Sequence, residues 1–278
     1  MEAIEHMKKQ ERKEYSAEHL LYLKRQKRND ILIQISRVTL LILLLCLWET
    51  AADCEWVNPF ITSSPSRIAK TIIALYAEGS LFYHVGVTLW ETLAGFFIAV
   101  AGGCLIALLL WWSNVLRKIL EPYIVILNSL PKIALGPLVI IWCGTGSKAI
   151  IAITVLIGIV ISVMNMLNGF ISTDKNKILL LESMGAGKLQ ILQKLVIPSA
   201  LPTFISMLKI NVGMAWIGSI MGEYIVSKAG LGYLIVYGGQ VFKLDLVMAA
   251  TVILCTLAGV MYFMVVLLER LVVKNYRE

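Results

Sequence analysis

The chain has 278 residues, 58% of them hydrophobic, with a mean hydropathy of +0.79 and a formal net charge of +7. Soluble domains are about half apolar or less, so this composition excludes a soluble globular domain. Segments 149–171 and 246–268 contain no Asp, Glu, Lys or Arg. Both exceed the roughly 20 helical residues that cross the hydrocarbon core of a bilayer. The sequence therefore predicts a membrane protein.

The chain opens with a charged tail, residues 1–30, that holds eight basic and six acidic side chains. We expect a solvated cytoplasmic tail that touches anionic lipid. The first span, 31–48, contains the single charge Arg37, and we expect it to be retained as an anchor. The following segment, 49–84, is predicted to lie outside and to form a short amphipathic helix that ends before Gly79.

Five further spans follow this external segment. Two of them contain a lysine, at Lys132 and Lys209. In lipid a lone span must satisfy its own backbone hydrogen bonds, so each is predicted to be a helix. The spans are 92–112, 122–142, 149–171, 201–222 and 246–268. The predicted fold is an all-α polytopic membrane protein with six transmembrane helices, in which residues 1–30 form the tail and 31–278 the membrane domain.

The distribution of Lys and Arg predicts the orientation of the spans. Basic residues accumulate on the cytoplasmic side of membrane proteins. With the N-terminus inside, the predicted cytoplasmic segments hold 17 Lys or Arg and the opposite segments hold 5. Six spans then leave both termini in the cytoplasm. The net positive charge is thereby explained by topology, and nucleic-acid binding is not expected.

The longest internal cytoplasmic segment has strong helix signals. Asp174 is a suitable N-cap for a helix over 175–184, which the run 185–187, Gly-Ala-Gly, interrupts. A second helix is expected to begin at Lys188 and to stop at Pro198, before the next span opens around Pro202. The pattern predicts two short helices joined by a glycine elbow, a form suited to close approach by another protein.

No catalytic or nucleotide-binding motif is recognisable. The run 185–188, Gly-Ala-Gly-Lys, lacks both the first glycine and the Ser or Thr of a phosphate-binding loop. The three histidines include two in the tail, and the five cysteines are scattered without metal-binding spacing. We therefore expect a protein that is not an enzyme, binds no metal or cofactor and does not itself hydrolyse ATP.

Several motifs together resemble those of the bacterial ABC importer permeases. The cytoplasmic segment carries Gly185, nine intervening residues, an aliphatic run and Pro198, as in the loop of that family known as EAA. Motifs in the spans resemble the branch that serves sulfonates, taurine, nitrate and thiamine precursors. They are Leu-Ala-Gly-Phe at 93–96, Leu-Pro-Lys-Ile-Ala-Leu-Gly-Pro-Leu at 130–138, Trp-x-Gly at 142–144, Gly-Glu at 222–223 and Gly-Leu-Gly-Tyr-Leu-Ile at 230–235.

This resemblance implies the type I ABC importer permease fold in a bacterial inner membrane. It further implies partners: a dimer of cytoplasmic ABC ATPases that consume the ATP, a second permease copy or close relative, and an extracellular or periplasmic solute-binding protein. The function implied is translocation of a small polar or anionic solute. An ion-gradient-driven secondary transporter is the alternative, although such transporters usually show internal repeats and buried carboxylates. A non-transporting scaffold subunit is a third possibility.

The resemblance also assigns the cytoplasmic segment 174–202 as the loop that couples to the ATPase. The Glu-Ala-Ala triplet of the family reads Leu-Leu-Leu at 179–181, so the salt bridge of the family glutamate cannot be carried over. We expect docking through shape and apolar contact instead. The candidate coupling residues are Leu181, Glu182, Gly185, Ala186, Gly187, Lys188, Gln190 and Pro198.

Polar or proline positions within the spans are candidates for the translocation pathway, because charged groups at membrane depth usually face protein or a cavity. Each has a structural alternative, such as a kinked packing helix at Pro131 or a Lys209 that reaches the cytoplasmic surface. The candidates are Asn128, Pro131, Lys132, Lys209, Asn211, Trp216 and Glu223. Gly218 and Gly222 are expected to allow close helix packing instead.

Overall fold

The computed structural model describes residues 17–274, and its regular secondary structure over that range is entirely helical. The chain divides into two compact units, residues 1–66 and 67–278. In the first, helix α1, Ala17–Asp53, is far longer than the predicted span, and its apolar side chains from Ile31 to Leu47 are exposed. A one-turn helix, α2, Pro59–Thr62, follows. The Glu49 carboxylate accepts from the Ser66 N–H at 2.9 Å, which fixes the end of this unit.

Helix α3, Pro65–Ala77, forms where the amphipathic pattern predicts it. Its basic side chain Arg67 lies 3.3 Å from the Asp245 carboxylate at the start of the last helix. Gly79 then turns the chain with φ 72°, a backbone conformation that glycine adopts without steric cost. Helix α4, Ser80–Trp112, begins twelve residues before the predicted span, so part of the segment expected to lie outside belongs to this helix.

The third predicted span is broken rather than continuous. Helix α5, Asn114–Ser129, is followed by a 3₁₀ turn, Lys132–Leu135, and helix α6, Gly136–Cys143. The two halves meet at an angle of 89°. Leu130 is extended because it precedes Pro131, and a residue before proline is disfavoured in the helical conformation. The proline therefore sets the place of the break.

Helix α7, Ser147–Ile171, is the central element of the second unit. Glycines of α4 lie directly against it: a Cβ on Gly95 would be 2.4 Å from Thr154, and one on Gly103 would be 2.1 Å from Ser162. The constant offset between these pairs shows that α4 and α7 run parallel. Two parallel helices that both span a membrane need one crossing between them, so we count the bent α5–α6 segment as one candidate span, which gives up to six candidate spans among the described residues.

Two short helices precede the next span: α8, Lys175–Ser183, and α9, Lys188–Ile191. A π-helical turn, Leu192–Val196, leads from α9 directly into α10, Ile197–Val226. The expectation that the second short helix stops at Pro198 is therefore wrong. The π turn lets the helical path continue over a proline whose missing N–H would break a regular α-helix.

The fifth span packs antiparallel to α7 through small residues. Gly218 and Gly222 of α10 face Thr154 and Ile150, with a Cβ on Gly218 placed only 2.6 Å from the Thr154 Cα. The expectation that these two glycines allow close packing is confirmed. Helix α11, Leu231–Gln240, and the last span, α12, Leu244–Lys274, complete the second unit.

Candidate functional site

The elbow between α8 and α9 is rigidly built. At its N-terminal end, the Asp174 carboxylate accepts from the Asn176 N–H at 2.9 Å, as expected of an N-cap. At the C-terminal end of α8, Gly185 has φ 82°, its N–H donates to the Glu182 carbonyl, and the Ala186 N–H donates to the Leu181 carbonyl, both at 2.9 Å. This is a Schellman C-cap, which requires the left-handed residue that Gly185 supplies.

The second arm of the elbow begins with its own cap. The Gly187 N–H donates to the Gln190 side-chain oxygen at 2.9 Å, so Gln190 closes the first turn of α9. Leu181 and Ala186 are partly buried and pack on the membrane core. These contacts hold both arms, and they assign Leu181, Ala186 and Gln190 to the internal support of the elbow.

The outward side of the elbow is apolar and exposed. Leu180 is 59% exposed and Met184 is 74% exposed, and Leu179 and Leu189 are similarly open. We call these four residues the apolar face. Beside it lies a hollow of about 320 Å³ lined in part by Met184, Gly185 and Gln190. Exposed apolar side chains concentrated on a structured loop are typical of an interaction surface.

Two of the polar coupling candidates have different surroundings. Glu182 is exposed on α8. Lys188 turns back toward the membrane domain: its Nζ donates to the carbonyl of Trp112, the last residue of α4, and lies 5.1 Å from the Trp112 ring centroid. Lys188 therefore ties the elbow to the end of α4. Pro198 is partly buried and lies in the first turn of α10.

Three pathway candidates cluster at the break between α5 and α6. The Lys132 Nζ donates to the Asn128 carbonyl at 3.0 Å, a carbonyl that no longer receives a helical N–H because the helix ends at Ser129. Lys132 is partly exposed, and Asn128 and Pro131 are exposed. The structure brings these three residues together at one bend. The Lys132 ammonium donates to the carbonyl that loses its helical partner because the helix is broken at Pro131.

Lys209 has a partner that the sequence did not suggest. Its Nζ lies 2.6 Å from a carboxylate oxygen of Glu269, on α12, and both side chains are partly exposed. The last predicted span ends at residue 268, and the residues after it are predicted to lie in the cytoplasm. Because α12 continues to Lys274, the acid remains helical and reaches the lysine, and the two charges form an ion pair.

Asn211 and Trp216 lie within the helix interface. The Ser162 hydroxyl donates to the Asn211 side-chain oxygen at 3.1 Å, and the Asn211 amide donates to the Met207 carbonyl at 3.0 Å. Trp216 is buried, and its Nε1 has no hydrogen-bond partner among the described residues. Both side chains join α10 to its neighbours, and in this conformation neither is open to solvent.

Glu223 is 1% exposed and holds the start of α11. One of its carboxylate oxygens accepts from the Gly232 N–H at 2.6 Å and from the Tyr233 N–H at 3.3 Å. The two preceding N–H groups are also held, since Gly230 donates to His84 Nδ1 at 3.0 Å and Leu231 donates to Thr88 at 2.7 Å. His84 and Thr88 were missed because neither belongs to a sequence motif.

Glycines are required where the Glu223 carboxylate approaches the start of α11. A Cβ on Gly230 would lie 2.4 Å from the Glu223 carboxylate, and one on Gly232 would lie 2.8 Å from it. Gly230 also has φ 112°. The Gly-Leu-Gly-Tyr motif is thus explained by close approach of a buried carboxylate to the N-terminus of a helix.

Residues 99–274 match the family described as binding-protein-dependent transport system inner membrane component. The chain belongs to this family. It is a transport permease and not an enzyme. The formylaminopyrimidine transport permease protein ThiX of Halalkalibacterium halodurans is 32% identical over 69% of the permease and 76% of its own length. The taurine transport system permease protein TauC of Escherichia coli is 26% identical over 78% and 81%.

A solved structure shows the same fold. A chain of the MetNI methionine ABC transporter, in an inward-facing conformation, matches the permease with a TM-score of 0.61 and 22% identity. The match covers 70% of the permease and 98% of that chain. The predicted ABC importer permease fold is confirmed, whereas the placement of both termini in the cytoplasm stays a prediction.

Proposed function

We propose that this permease subunit of an ABC importer docks its ATPase through the apolar face of the elbow. The observation that carries the proposal is the rigid, capped elbow that presents Leu179, Leu180, Met184 and Leu189 to solvent. A lever must transmit movement without bending, and both arms of this elbow are fixed by hydrogen bonds. The apolar side chains supply contact area where the family glutamate is replaced by Leu179.

The second permease of the complex is, in this proposal, another copy of this chain or a close relative. A solute-binding protein delivers substrate on the opposite side of a bacterial inner membrane. ATP is bound and hydrolysed by the partner subunits, since the sequence has no phosphate-binding loop. The helix bundle has two states, and the partners bind these states with different affinities. Their binding therefore shifts the bundle from one state to the other.

For substrate we propose a small polar or anionic solute, of the sulfonate, taurine, nitrate or vitamin-precursor type. The names of the relatives ThiX and TauC support this class. Mass spectrometry of the ligand retained by the co-purified binding protein tests it. A long polymer or a lipid in that binding protein would contradict the proposal.

Docking is tested by changing the apolar face without changing the fold of the loop. Leu180→Asp places a charge in the proposed interface and should weaken ATPase binding by about 2 kcal/mol, roughly thirty-fold in Kd. Leu180→Met keeps an apolar side chain of similar size and should leave binding close to that of the unaltered protein. Co-purification of the ATPase and ATP-driven uptake in proteoliposomes are the measurements.

The elbow itself is tested by Gly185→Asp. The substitution introduces a charge and a side chain at φ 82°, a conformation costly for most residues with a Cβ. We expect loss of ATPase binding and of uptake, with the membrane domain still folded. Normal uptake by both Gly185→Asp and Leu180→Asp would exclude the elbow as the coupling site.

A further inference from the structure

A basic pocket lies beside the elbow, where the membrane helices α4 and α7 end. It has a volume of about 340 Å³ and is lined by the end of α4, the start of α5, the end of α7 and the starts of α8 and α9. Three of its lining side chains are cationic: Arg117, Lys175 and Lys188. Asn114 and Thr173 add neutral polar groups, and no carboxylate of the described residues lines the pocket.

Arg117 is the strongest indication that the basic pocket holds a ligand. Its side chain is partly buried, and its Nε is buried without a hydrogen-bond partner among the described residues. Buried polar groups in folded proteins nearly always have such a partner. The ion pairs of the described residues link other side chains, so no carboxylate neutralises Arg117. An anion in the pocket would supply both the acceptor and the charge.

Lys188 is already positioned at the wall of the basic pocket. Its contact with the Trp112 carbonyl uses one ammonium hydrogen, and an ammonium has three to donate. The rings of Trp111 and Trp112 lie 5.7 Å and 5.1 Å from the Nζ and restrict its movement. The Lys188 ammonium therefore lies at the pocket with donors left over for an anion.

The depth of the basic pocket in the membrane indicates the kind of anion. The parallel spans α4 and α7 both end at it, where apolar sequence gives way to polar sequence. Tryptophan is enriched at the level of the lipid headgroups, and Trp111 lines the pocket. Phosphate is the anion that phospholipids present at this level, and guanidinium groups bind phosphate oxygens with matched geometry.

We propose that the basic pocket binds a phosphate group through Arg117, Lys175 and Lys188. Because Lys175 lies on α8 and Lys188 on α9, a bound phosphate braces both arms of the elbow against α5. Its source is either the headgroup of an anionic phospholipid in the adjoining leaflet or soluble phosphate. The bracing of the coupling movement rests on the proposed function, whereas binding at the pocket does not.

The test uses the full-length permease purified with its ATPase, stripped of lipid and returned to bilayer discs. One set of discs contains phosphatidylcholine alone, and the other contains phosphatidylglycerol as well. Native mass spectrometry then counts the lipids retained. We expect phosphatidylglycerol to be retained preferentially, and Arg117→Gln or Lys175→Gln to reduce that retention about five-fold each, the effect of losing one basic contact at the membrane surface.

Each substitution has a matched control one or two positions away in the chain. Lys118→Gln and Lys177→Gln remove the same charge from α5 and α8, but neither side chain lines the basic pocket. Retention should be unchanged in both. Lys175 is exposed, so its variant tests the proposal even if Arg117→Gln does not fold. Equal losses in the variants and in their controls would overturn the proposal, since they would indicate diffuse attraction.

A second arm distinguishes the two sources of phosphate. In detergent, inorganic phosphate is titrated into the same complex and its binding is followed by calorimetry. Binding that depends on Arg117, without preferential retention of phosphatidylglycerol, assigns the pocket to soluble phosphate. If neither probe binds in an Arg117-dependent manner, the proposal is wrong. Failure of ATPase docking with phosphate binding intact would instead contradict only the proposed function.

Discussion

Four successive backbone N–H groups at the start of α11 donate to side chains of α4 and α10. His84, Thr88 and Glu223 are the acceptors, and Glu223 takes two of the four hydrogen bonds. The first N–H groups of a helix have no partner within the helix, and a negative charge is favourable at that end. Glu223, a candidate for the pathway from sequence, thus has a structural role that any function in transport must accommodate.

The role of Glu223 as an anchor predicts different effects for two substitutions. Glu223→Ala leaves the buried Gly232 N–H and the partly buried Tyr233 N–H without an acceptor and should lower the free energy of unfolding by about 2–4 kcal/mol. Glu223→Gln keeps one acceptor oxygen and should cost roughly half as much. The measurement is thermal unfolding of the purified permease in detergent. Equal stability of the two variants would show that the hydrogen bonds to α11 contribute little.

The ion pair of Lys209 and Glu269 gives a second prediction for single residues. Lys209→Met leaves the Glu269 carboxylate unpaired between helices and should destabilise the permease by about 2 kcal/mol. Adding Glu269→Met removes that charge and should restore most of the stability, because apolar replacements of an ion pair are often neutral. The four proteins of this double-mutant cycle are compared by thermal unfolding.

The same cycle separates stability from transport. If the double variant regains stability and ATP-driven uptake together, the two charges serve only to join α10 and α12. If it regains stability while uptake remains lost, Lys209 or Glu269 contacts the solute or is needed in a conformation that the permease adopts during transport. A double variant less stable than Lys209→Met would contradict the assignment of the ion pair.

At the scale of the helices, hydropathy predicted where spans exist but not how each begins and ends. Residues 80–91 join α4 although they contain His84 and Glu91. His84 accepts from the Gly230 N–H, 146 positions away, and Glu91 is buried with one carboxylate oxygen that has no hydrogen-bond partner among the described residues. The break in the third span could be placed from Pro131. The passage over Pro198 could not, because the π turn that permits it has no sequence signature.

Close packing of α10 on α7 is tested by two glycines of one helix. A Cβ on Gly218 would lie 2.6 Å from the Thr154 backbone, whereas one on Gly213 would meet open space. Gly218→Ala should therefore cost about 1–3 kcal/mol of stability through forced separation of the helices. Gly213→Ala should be neutral or stabilising by up to about 1 kcal/mol, since alanine favours helix. A Gly218→Ala permease as stable as the Gly213→Ala permease would contradict this packing.

For the whole molecule, sequence motifs identified the elbow while contacts distant in sequence determined its surroundings. Gly185 and Asp174 act as predicted from local signals, because caps involve residues only a few positions apart. Lys188 is a candidate coupling residue from its place in the loop, and the structure adds a contact that the sequence does not indicate, with Trp112, 76 positions away. A contact of that kind depends on how α4 and α7 pack, and this information is absent from the local pattern.

Topology is the property of the whole molecule that the charge distribution predicts most directly. Cys54 and Cys143 are exposed and lie in segments predicted to be outside, whereas Lys177 lies in the elbow and is predicted to be inside. Single-cysteine variants retaining Cys54 or Cys143, or carrying Lys177→Cys, can be labelled with a membrane-impermeant maleimide. A cysteine-free variant provides the background.

In right-side-out vesicles, Cys54 and Cys143 should react and Lys177→Cys should not, and inside-out vesicles should give the reverse. The expectation follows from the excess of basic residues on one set of segments, which fixes orientation during insertion. Labelling of Cys54 and Cys143 from opposite sides would mean that the bent α5–α6 segment does not cross the membrane. Labelling of Lys177→Cys from outside would place the elbow where no cytoplasmic ATPase could reach it, and would overturn the proposed coupling as well as the orientation.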